Sequence, residues 1–265
     1  MKKFLSALYV VLVLAFVYVP ILLLVFYSFS SGKTIGSFEH FSFRWYEKLG
    51  DIKDVVINTV MLALVSAVVA TVLGTLGAIG VFYSKGKFGK TVNGMSQIPV
   101  VNSEVVTACA LVMLFMALGF AHRSMFGVYI GHIVLTTPFV VLSVIPKLKQ
   151  MDGSLYEAAL DLGATPTQAL FKVILPEILP GIISGFMLAI TLSLDDYILT
   201  ATLSPLDFDT ISTAVYKSIA LTTDKASERI PVYRALTTII FLLTILAVVV
   251  MNISSKNKKQ EKRGV

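Results

Sequence analysis

Six apolar runs, each long enough to cross a bilayer, dominate this 265-residue sequence. A hydrocarbon core of about 30 Å needs roughly 20 mostly apolar residues in one helix. Because a backbone inside lipid must satisfy its own hydrogen bonds, we expect every run to be helical. The sequence therefore predicts an all-α integral membrane protein with six transmembrane helices: Phe4–Phe29, Val55–Tyr83, Ile98–Phe120, Phe126–Ile145, Leu179–Leu203 and Leu236–Ile253.

Composition supports this fold class, because 56% of the residues are hydrophobic and only 14% are charged. A soluble core does not absorb that much apolar surface. The net charge of +6 is concentrated in the basic tail from Lys256 to Arg263, which directly follows an apolar run. We therefore expect membrane lipids, through their anionic headgroups, as the tail's partner, and no nucleic acid. The one cysteine, Cys109, excludes a disulfide framework and a cysteine metal cluster.

The positions of the basic residues predict the orientation. Thirteen of the 22 lysines and arginines fall on one side when the N-terminus is placed in the cytoplasm. This asymmetry favours cytoplasmic N- and C-termini, and it places the polar segment 147–178 in the cytoplasm as well. The first run is longer than a signal-peptide core and ends without a small-residue cleavage site, so we expect it to remain as an anchor.

The segment 147–178 has helix-ending signals of its own. Ser154 with Glu157 is typical of a capping box, and Gly163 is suited to close the helix that follows. Thr165, Pro166 and Gln168 repeat the pattern, with the proline at the first helical position. The sequence predicts two short helices that meet at a bend.

The spacing of Glu157-Ala158-Ala159, Gly163 and Val173-Ile174-Leu175-Pro176 resembles the EAA loop of permease subunits in ATP-binding-cassette (ABC) importers. Val173 departs from the usual isoleucine. The resemblance implies a type I importer permease fold and one permease domain over residues 1–265. It also implies that the loop docks on a separate ATPase chain, which would bind the ATP and Mg, so that this chain has no cofactor of its own. The implied coupling residues are Glu157, Ala158, Ala159, Gly163, Ala164, Pro166, Leu175 and Pro176.

Within that family the sequence is most similar to the second permease subunit of spermidine/putrescine importers. The likeness is carried by Phe43-Arg44-Trp45-Tyr46, by residues 155–164 and by Thr191-Leu192-Ser193-Leu194-Asp195-Asp196. It implies a bacterial cytoplasmic membrane location and alternating access driven by ATP. The implied partners are a homologous second permease subunit, ABC ATPase subunits and an extracytoplasmic polyamine-binding protein.

Three carboxylates fall inside the predicted spans: Glu104, Asp195 and Asp196. A carboxylate at the bilayer centre costs about 2.5–3.5 kcal/mol on the insertion scale. No lysine or arginine lies in the middle of any run, so a cationic substrate, a protein neighbour or protonation must offset that cost. Adjacent helical residues point about 100° apart, so we expect one aspartate to line a cavity and the other to bond backbone groups or a neighbour. The alternative is that both cap a break near Thr191-Leu192-Ser193, and that Glu104 caps a late-starting third helix.

A polyamine needs spaced carboxylates and aromatic faces for its ammonium groups. The predicted substrate path is therefore Asp195, Asp196, Glu104, Trp45, Tyr197 and Tyr216. Trp45 also fits an interfacial belt, and the two tyrosines also fit ordinary packing. His40, His122 and His132 are too scattered to indicate a metal site.

Three other readings stay open at this point. An importer permease for sulfate, thiosulfate or molybdate would favour basic groups at its cavity, and one for ferric iron is a further rival. A stand-alone secondary transporter would show inverted repeats. A membrane enzyme would need a nucleophile–base or metal constellation, and the sequence contains no such pattern, so we expect no catalytic residue.

Overall fold

The computed structural model describes residues 2–33, 38–84, 94, 102–121, 123–220 and 229–261. These residues are almost entirely helical, as the apolar runs predict. The helices are α1 (Lys2–Ser28), α2 (Arg44–Glu47), a 3₁₀ turn (Lys48–Ile52), α3 (Lys53–Tyr83), α4 (Glu104–Ala117), α5 (Met125–Gln150), α6 (Ser154–Asp161), α7 (Pro166–Ala169), a π turn (Leu170–Ile174), α8 (Leu175–Asp195), α9 (Ile198–Leu203), α10 (Ile211–Ala220) and α11 (Ile230–Glu261).

In the residues that the structure describes, five of the six predicted spans each overlap one helix, and the run Leu179–Leu203 overlaps both α8 and α9. Within the described part of the chain, four helical segments have the length and hydropathy of a membrane span: Ala7–Ser28, Arg44–Tyr83, Met125–Gln150 and Pro166–Asp195. Glu104–Ala117 and Ile230–Leu246 are shorter apolar helices. Residues 98–101 of the predicted third span and residues 262–265 of the basic tail lie outside the described residues.

Main-chain contacts divide the chain into two units. The first unit contains residues 1–54 and 215–265, and the second contains residues 55–214. The second unit holds most of the predicted site residues and the whole EAA-like loop. That the entire chain forms one permease domain remains a prediction.

In the first unit, aromatic contacts connect the end of α1 to α2. The rings of Phe29 and Tyr46 stack with centroids 5.4 Å apart, and the Ser28 and Tyr46 hydroxyls are 2.7 Å apart. The Trp45 side chain is buried, with 2% of its surface exposed, and its Nε1–H donates to the Ser30 carbonyl at 2.8 Å. Trp45 therefore satisfies its polar atom within the protein, as buried tryptophans usually do.

In the second unit, α5 is packed between α3 and α8, and Val140 lies at the centre of that packing. A Cβ atom added to Gly74 of α3 would lie 2.7 Å from the Val140 Cβ. A Cβ added to Gly185 of α8 would lie 3.1 Å from the Val140 Cα. Small residues of this kind let transmembrane helices approach closely. The three helices therefore form one tightly packed group that supports both sites described below.

Two bonds hold the start of α10 against α3. Thr59 Oγ1 accepts from the Ile211 amide at 2.9 Å, and Asn58 Nδ2 donates to the Asp209 carbonyl at 3.3 Å. Thr59 Oγ1 itself donates to the Val55 carbonyl. The Asn58-Thr59 pair at the opening of the second span thus anchors a distant loop of the same unit.

Candidate functional site

The fifth predicted span is interrupted. Helix α8 ends at Asp195, α9 begins at Ile198, and Asp196 between them is extended, with ψ of 130°. The sequence run from Leu179 to Leu203 is therefore two helices, and the interruption lies after the Thr191–Ser193 segment where the alternative reading placed it. Irregular backbone at membrane depth must be bonded internally.

Asp196 supplies that bonding. Its Oδ1 accepts from the Leu199 amide at 3.2 Å, and its Oδ2 accepts from the Thr200 amide at 2.9 Å and from the Thr200 hydroxyl at 3.0 Å. The residue is 4% exposed, and its side chain is fully buried. Asp196 is thus an internal cap for α9, which satisfies amides that the break would otherwise leave unpaired.

A histidine from α5 completes the surroundings of Asp196. His132 is fully buried, and its Nε2 lies 3.4 Å from Asp196 Oδ2 and 3.0 Å from Thr200 Oγ1. Its Nδ1 lies 2.7 Å from the Ser193 hydroxyl. We call His132, Ser193, Asp196 and Thr200 the His132 network. It joins α5, α8 and α9 through polar contacts inside an apolar unit.

Sequence reasoning missed His132. The three histidines are scattered along the sequence, so no spacing pattern indicates that His132 pairs with a carboxylate. The available signal was the position of His132 within the apolar run 126–145. An ionisable residue inside a span almost always faces the protein interior and is paired there.

The other two carboxylates lie at the same break but are more open. Asp195 is exposed, and Glu104 is partly exposed at the first position of α4, where Ser103 is the N-cap. The Glu104 carboxylate is close enough to interact electrostatically with Asp196, Asp195 and His132. We call Glu104, Asp195 and Asp196 the acidic break. The late start of α4 and the bonding of Asp196 to backbone groups agree with the sequence predictions. A cavity lined by Asp195 and contact with a solute stay predictions.

The three aromatic candidates belong to different units of the chain. Trp45 is buried in the first unit, with the Arg44 guanidinium 5.3 Å and the Lys48 ammonium 5.7 Å from its ring. Tyr216 belongs to the first unit and is 52% exposed. Tyr197 follows Asp196 directly and is partly buried. Their predicted roles in substrate binding remain untested.

The second region of interest is the EAA-like loop. Gly163 has a φ of +85°, so it closes α6 as predicted, in a conformation that other residues rarely adopt. Thr165 and Gln168 form a capping box around Pro166, which is also as predicted. Two short helices therefore meet at a bend next to a glycine.

One local prediction about this loop is wrong. Ser154 and Glu157 do not form a capping box, because Ser154 is already the first residue of α6 and Gly153 holds the N-cap position. The Asp152 carboxylate accepts from the Ser154 amide at 3.0 Å and from the Ser154 hydroxyl at 2.9 Å. These two bonds lower the pKa of Asp152 below its usual value.

A π turn connects the loop to α8. The Leu175 amide bonds to the Leu170 carbonyl, five residues back, and Pro176 follows. Proline has no N–H, and its ring would clash with the carbonyl four residues earlier in a regular helix. The wider turn accommodates the proline, so the continuous helical segment Pro166–Asp195 links the bend directly to the acidic break.

Apolar side chains of the loop are unusually exposed. Leu162 at the bend is 90% exposed, and Phe171 in the π turn is 62% exposed. Beside them lies an apolar cavity of about 290 Å³ between α3 and the loop. Tyr83 and Tyr156 line it with ring centroids 5.7 Å apart. Contiguous patches of exposed apolar side chains mark interaction surfaces.

Comparisons with known proteins agree with these features. Residues 70–260 match the family described as binding-protein-dependent transport system inner membrane component. The putrescine transport system permease protein PotI of Escherichia coli strain K12 is 37% identical over 219 residues, which cover 78% of this chain and 76% of that protein. The spermidine/putrescine transport system permease protein PotC of Haemophilus influenzae is 29% identical and covers 96% of this chain and 98% of that protein.

Solved structures confirm the fold. A chain of a bacterial ABC transporter involved in the import of the acidic polysaccharide alginate superposes with a TM-score of 0.68 at 19% identity. The alignment covers 97% of this chain and 96% of that chain. A chain of the alginate transporter in complex with a pentasaccharide-bound periplasmic protein gives a TM-score of 0.64 at 18% identity, covering 92% of each chain. The predicted all-α architecture of a type I ABC importer permease is confirmed.

Proposed function

Because this chain belongs to the family of binding-protein-dependent transport system inner membrane components, we propose that it is a membrane-spanning permease subunit of an ATP-driven polyamine importer. The observation that carries the proposal is the acidic break. Three carboxylates interact at an interruption of a membrane span, and one of them, Asp195, is exposed. A charged carboxylate at membrane depth is costly unless a cavity or a cation offsets it.

The partners follow from the same proposal. The exposed Leu162 and Phe171 face outward on the EAA-like loop, which is the surface that an ATPase subunit would cover. The loop therefore lies in the cytoplasm, as do both termini, and ATP with Mg is bound by the ATPase. A homologous second permease subunit and an extracytoplasmic polyamine-binding protein complete the importer.

Motion is transmitted from the EAA-like loop to the acidic break through one continuous helical segment. Movement of the bend at Gly163 is passed through the π turn and along α8 to Asp195, where that helix ends. ATP binding closes the ATPase subunits, and the helices then expose the acidic break alternately to the two sides. The solute crosses without chemical change, and this chain contributes no catalytic group.

The acidic break favours a cation over the oxyanions considered above. Glu104 interacts with two aspartates and one histidine, so an anion would meet repulsion there. Polyamines carry several ammonium groups on a flexible chain, and spaced carboxylates are complementary to them. The carboxylates therefore select for the class of polyamines, and the names of the relatives support the same class.

The test is uptake by the reconstituted importer. The chain is purified with its ATPase, second permease and binding protein and is placed in liposomes that contain ATP. We expect uptake of putrescine and spermidine and no uptake of sulfate. We also expect no uptake by this chain alone. Sulfate import, or polyamine import without an ATPase, contradicts the proposal.

A pair of variants tests the acidic break itself. Asp195→Asn should lower polyamine uptake about tenfold, the effect of losing one screened charge interaction. Asp207→Asn is the matched control, because Asp207 is an exposed aspartate of the same unit outside the break. Equal uptake by both variants at matched membrane levels would remove Asp195 from the substrate path.

A further inference from the structure

Helix α3 connects the EAA-like loop to a segment on the other side of the membrane. Its last residue, Tyr83, contacts Tyr156 of α6, with ring centroids 5.7 Å apart. Near its other end, Thr59 Oγ1 accepts from the Ile211 amide at 2.9 Å. Tyr83 and Thr59 are 24 residues apart, which is about 36 Å of helix and exceeds the hydrocarbon thickness of about 30 Å. One helix therefore contacts the loop at one membrane face and Ile211 at the opposite face.

We call Tyr83 and Tyr156 the tyrosine joint. The contact is made by the two rings, whose planes are inclined at 50° to each other. Apolar packing holds the same end of α3, because Ala78 of α3 and Ile174 of the π turn belong to one buried cluster. Tyr156 immediately precedes Glu157, the first residue of the EAA-like pattern. Movement of α6 therefore acts directly on the end of α3.

Helix α3 is suited to carry that movement without bending. Proline is the usual cause of a sharp helix kink, and α3 contains no proline along its 31 residues. In contrast, α5 contains Pro138 and Pro146, and α8 contains Pro180. At Gly74 the helix is in close contact with α5, where an added Cβ would lie 2.7 Å from the Val140 Cβ. A stiff helix of this kind moves as one body when its end is displaced.

The far end of α3 passes the movement to the segment before α10. Besides the bond from Thr59, Asn58 Nδ2 donates to the Asp209 carbonyl at 3.3 Å. Thr59 is buried, with 3% of its surface exposed, so the Ile211 amide has this hydroxyl as its partner in place of water. A displacement of α3 therefore moves the segment 209–211 with it.

We propose that α3 is a second transmission path between the EAA-like loop and the opposite membrane face, with Tyr83, Tyr156 and Thr59 as its positioning residues. Helix α8 carries the movement of the loop to the acidic break, and α3 carries it to the segment 209–211. The state of that segment also reaches the loop through α3, because coupling between two sites is reciprocal. This inference rests on the proposed function, since it concerns the movement that ATP drives in an importer.

The experiment measures the coupling ratio, which is the amount of putrescine taken up per ATP hydrolysed, in proteoliposomes that contain the full importer. A second reading is the stimulation of ATP hydrolysis by the putrescine-loaded binding protein. Tyr156→Ala removes the ring contact, and Thr59→Val removes the acceptor of the Ile211 amide. Each variant should lower both readings about fivefold, the size of effect expected for residues that carry coupling. Membrane levels and co-purification of the ATPase should stay unchanged.

Conservative variants separate coupling from general damage. Tyr156→Phe keeps the ring and Thr59→Ser keeps the hydroxyl, so both should retain the wild-type coupling ratio. Phe126→Ala is the matched control for the loss of a ring, because Phe126 is exposed in the same unit and its ring lies beside Phe115 and Phe120 instead. It should also behave as the wild type. Conservative variants that lose coupling as fully as Tyr156→Ala and Thr59→Val overturn the inference.

The combination of the two breaks is the sharpest test. If Tyr156 and Thr59 lie on one path, the double variant should lose no more coupling than either single variant. If the two losses multiply, or if the single variants keep the wild-type ratio, the inference is overturned. Should Thr59→Val fail to assemble, Asn58→Ala takes its place, because it removes the bond to the Asp209 carbonyl at the same end of α3. A wild-type importer that takes up no putrescine contradicts the proposed function instead.

Discussion

The acidic break and the EAA-like loop lie at opposite ends of one helical segment, Pro166–Asp195. They differ in which side chains are buried, because polar groups are buried at the break and apolar groups are exposed on the loop. At the break, polar groups are buried and bonded within the chain: Asp196 is 4% exposed and His132 is fully buried. On the loop, apolar groups are turned outward, and Leu162 is 90% exposed. The polar groups around Asp196 are therefore bonded within the chain, whereas the loop exposes large apolar side chains.

This difference shows how one segment serves two functions. A buried polar network is strong when all its members are satisfied and costly when one is missing, so it fixes the geometry of the break. An exposed apolar bend contributes little to the stability of the chain, and it is free to gain energy from a partner. We therefore expect variants at the break to affect stability or selectivity, and variants on the loop to affect coupling alone.

The largest effect is expected at Gly163. Gly163→Val forces a β-branched residue to a φ of +85°, at a strain of about 1–3 kcal/mol, and misplaces the bend. Polyamine uptake and transport-linked ATP hydrolysis should fall together by more than about tenfold, at unchanged membrane levels. Gly153→Ala is the control, because Gly153 has a φ of −60° and an added Cβ would meet no atom within 4 Å. Wild-type uptake by the valine variant would show that the bend does not transmit motion.

The next effect is expected at Leu162. Leu162→Lys should weaken association with the ATPase and lower uptake about fivefold, because an exposed leucine at an interface centre loses about 1 kcal/mol or more. Leu206→Lys provides the comparison, since Leu206 is 80% exposed in the same unit outside the loop. Co-purification of the ATPase subunit reports the association. If both variants retain the ATPase equally, the exposed apolar bend is not the docking surface.

A smaller effect, on stability, separates the two aspartates. Asp196→Asn removes a buried acceptor from the His132 network and should lower the free energy of unfolding by about 1–3 kcal/mol. Asp195→Asn should leave stability unchanged, because Asp195 is exposed. Thermal unfolding of the purified subunit in detergent compares them. Equal melting temperatures would mean that Asp196 does not hold the break together.

The smallest effect concerns pH. Ser154 lowers the pKa of Asp152 in the folded chain, so the stability that Asp152 contributes is present above its unfolded value of 3.8 and is lost as the pH falls through the lower folded value. Coupling of uptake to ATP hydrolysis should therefore stay constant between about pH 5.5 and about pH 7.5, because Asp152 keeps its charge there. A coupling ratio that changes across this pH range would contradict the prediction.

Much of the fold was predictable, because each membrane span requires a long apolar run in the sequence. Long apolar runs specify helices, and the capping signals around Thr165 and the glycine at 163 specify the bend. The Ser154–Glu157 prediction failed because α6 already begins at Ser154, whose amide and hydroxyl both bond to Asp152. Local signals of this kind depend on the residue at which the helix begins.

The sequence by itself determined the helical spans, the bend, the presence of three carboxylates within apolar runs and the resemblance to an importer permease. Only the tertiary structure decided that Asp196 is internal and Asp195 is open, and that His132 from a different helix bonds Asp196. His132 and Asp196 are 64 positions apart in the chain, and a pair contact of that kind leaves no periodic signal. The contact arises from the close packing of α5 against α8. This packing places the His132 side chain beside Asp196, where the backbone of the fifth span is interrupted.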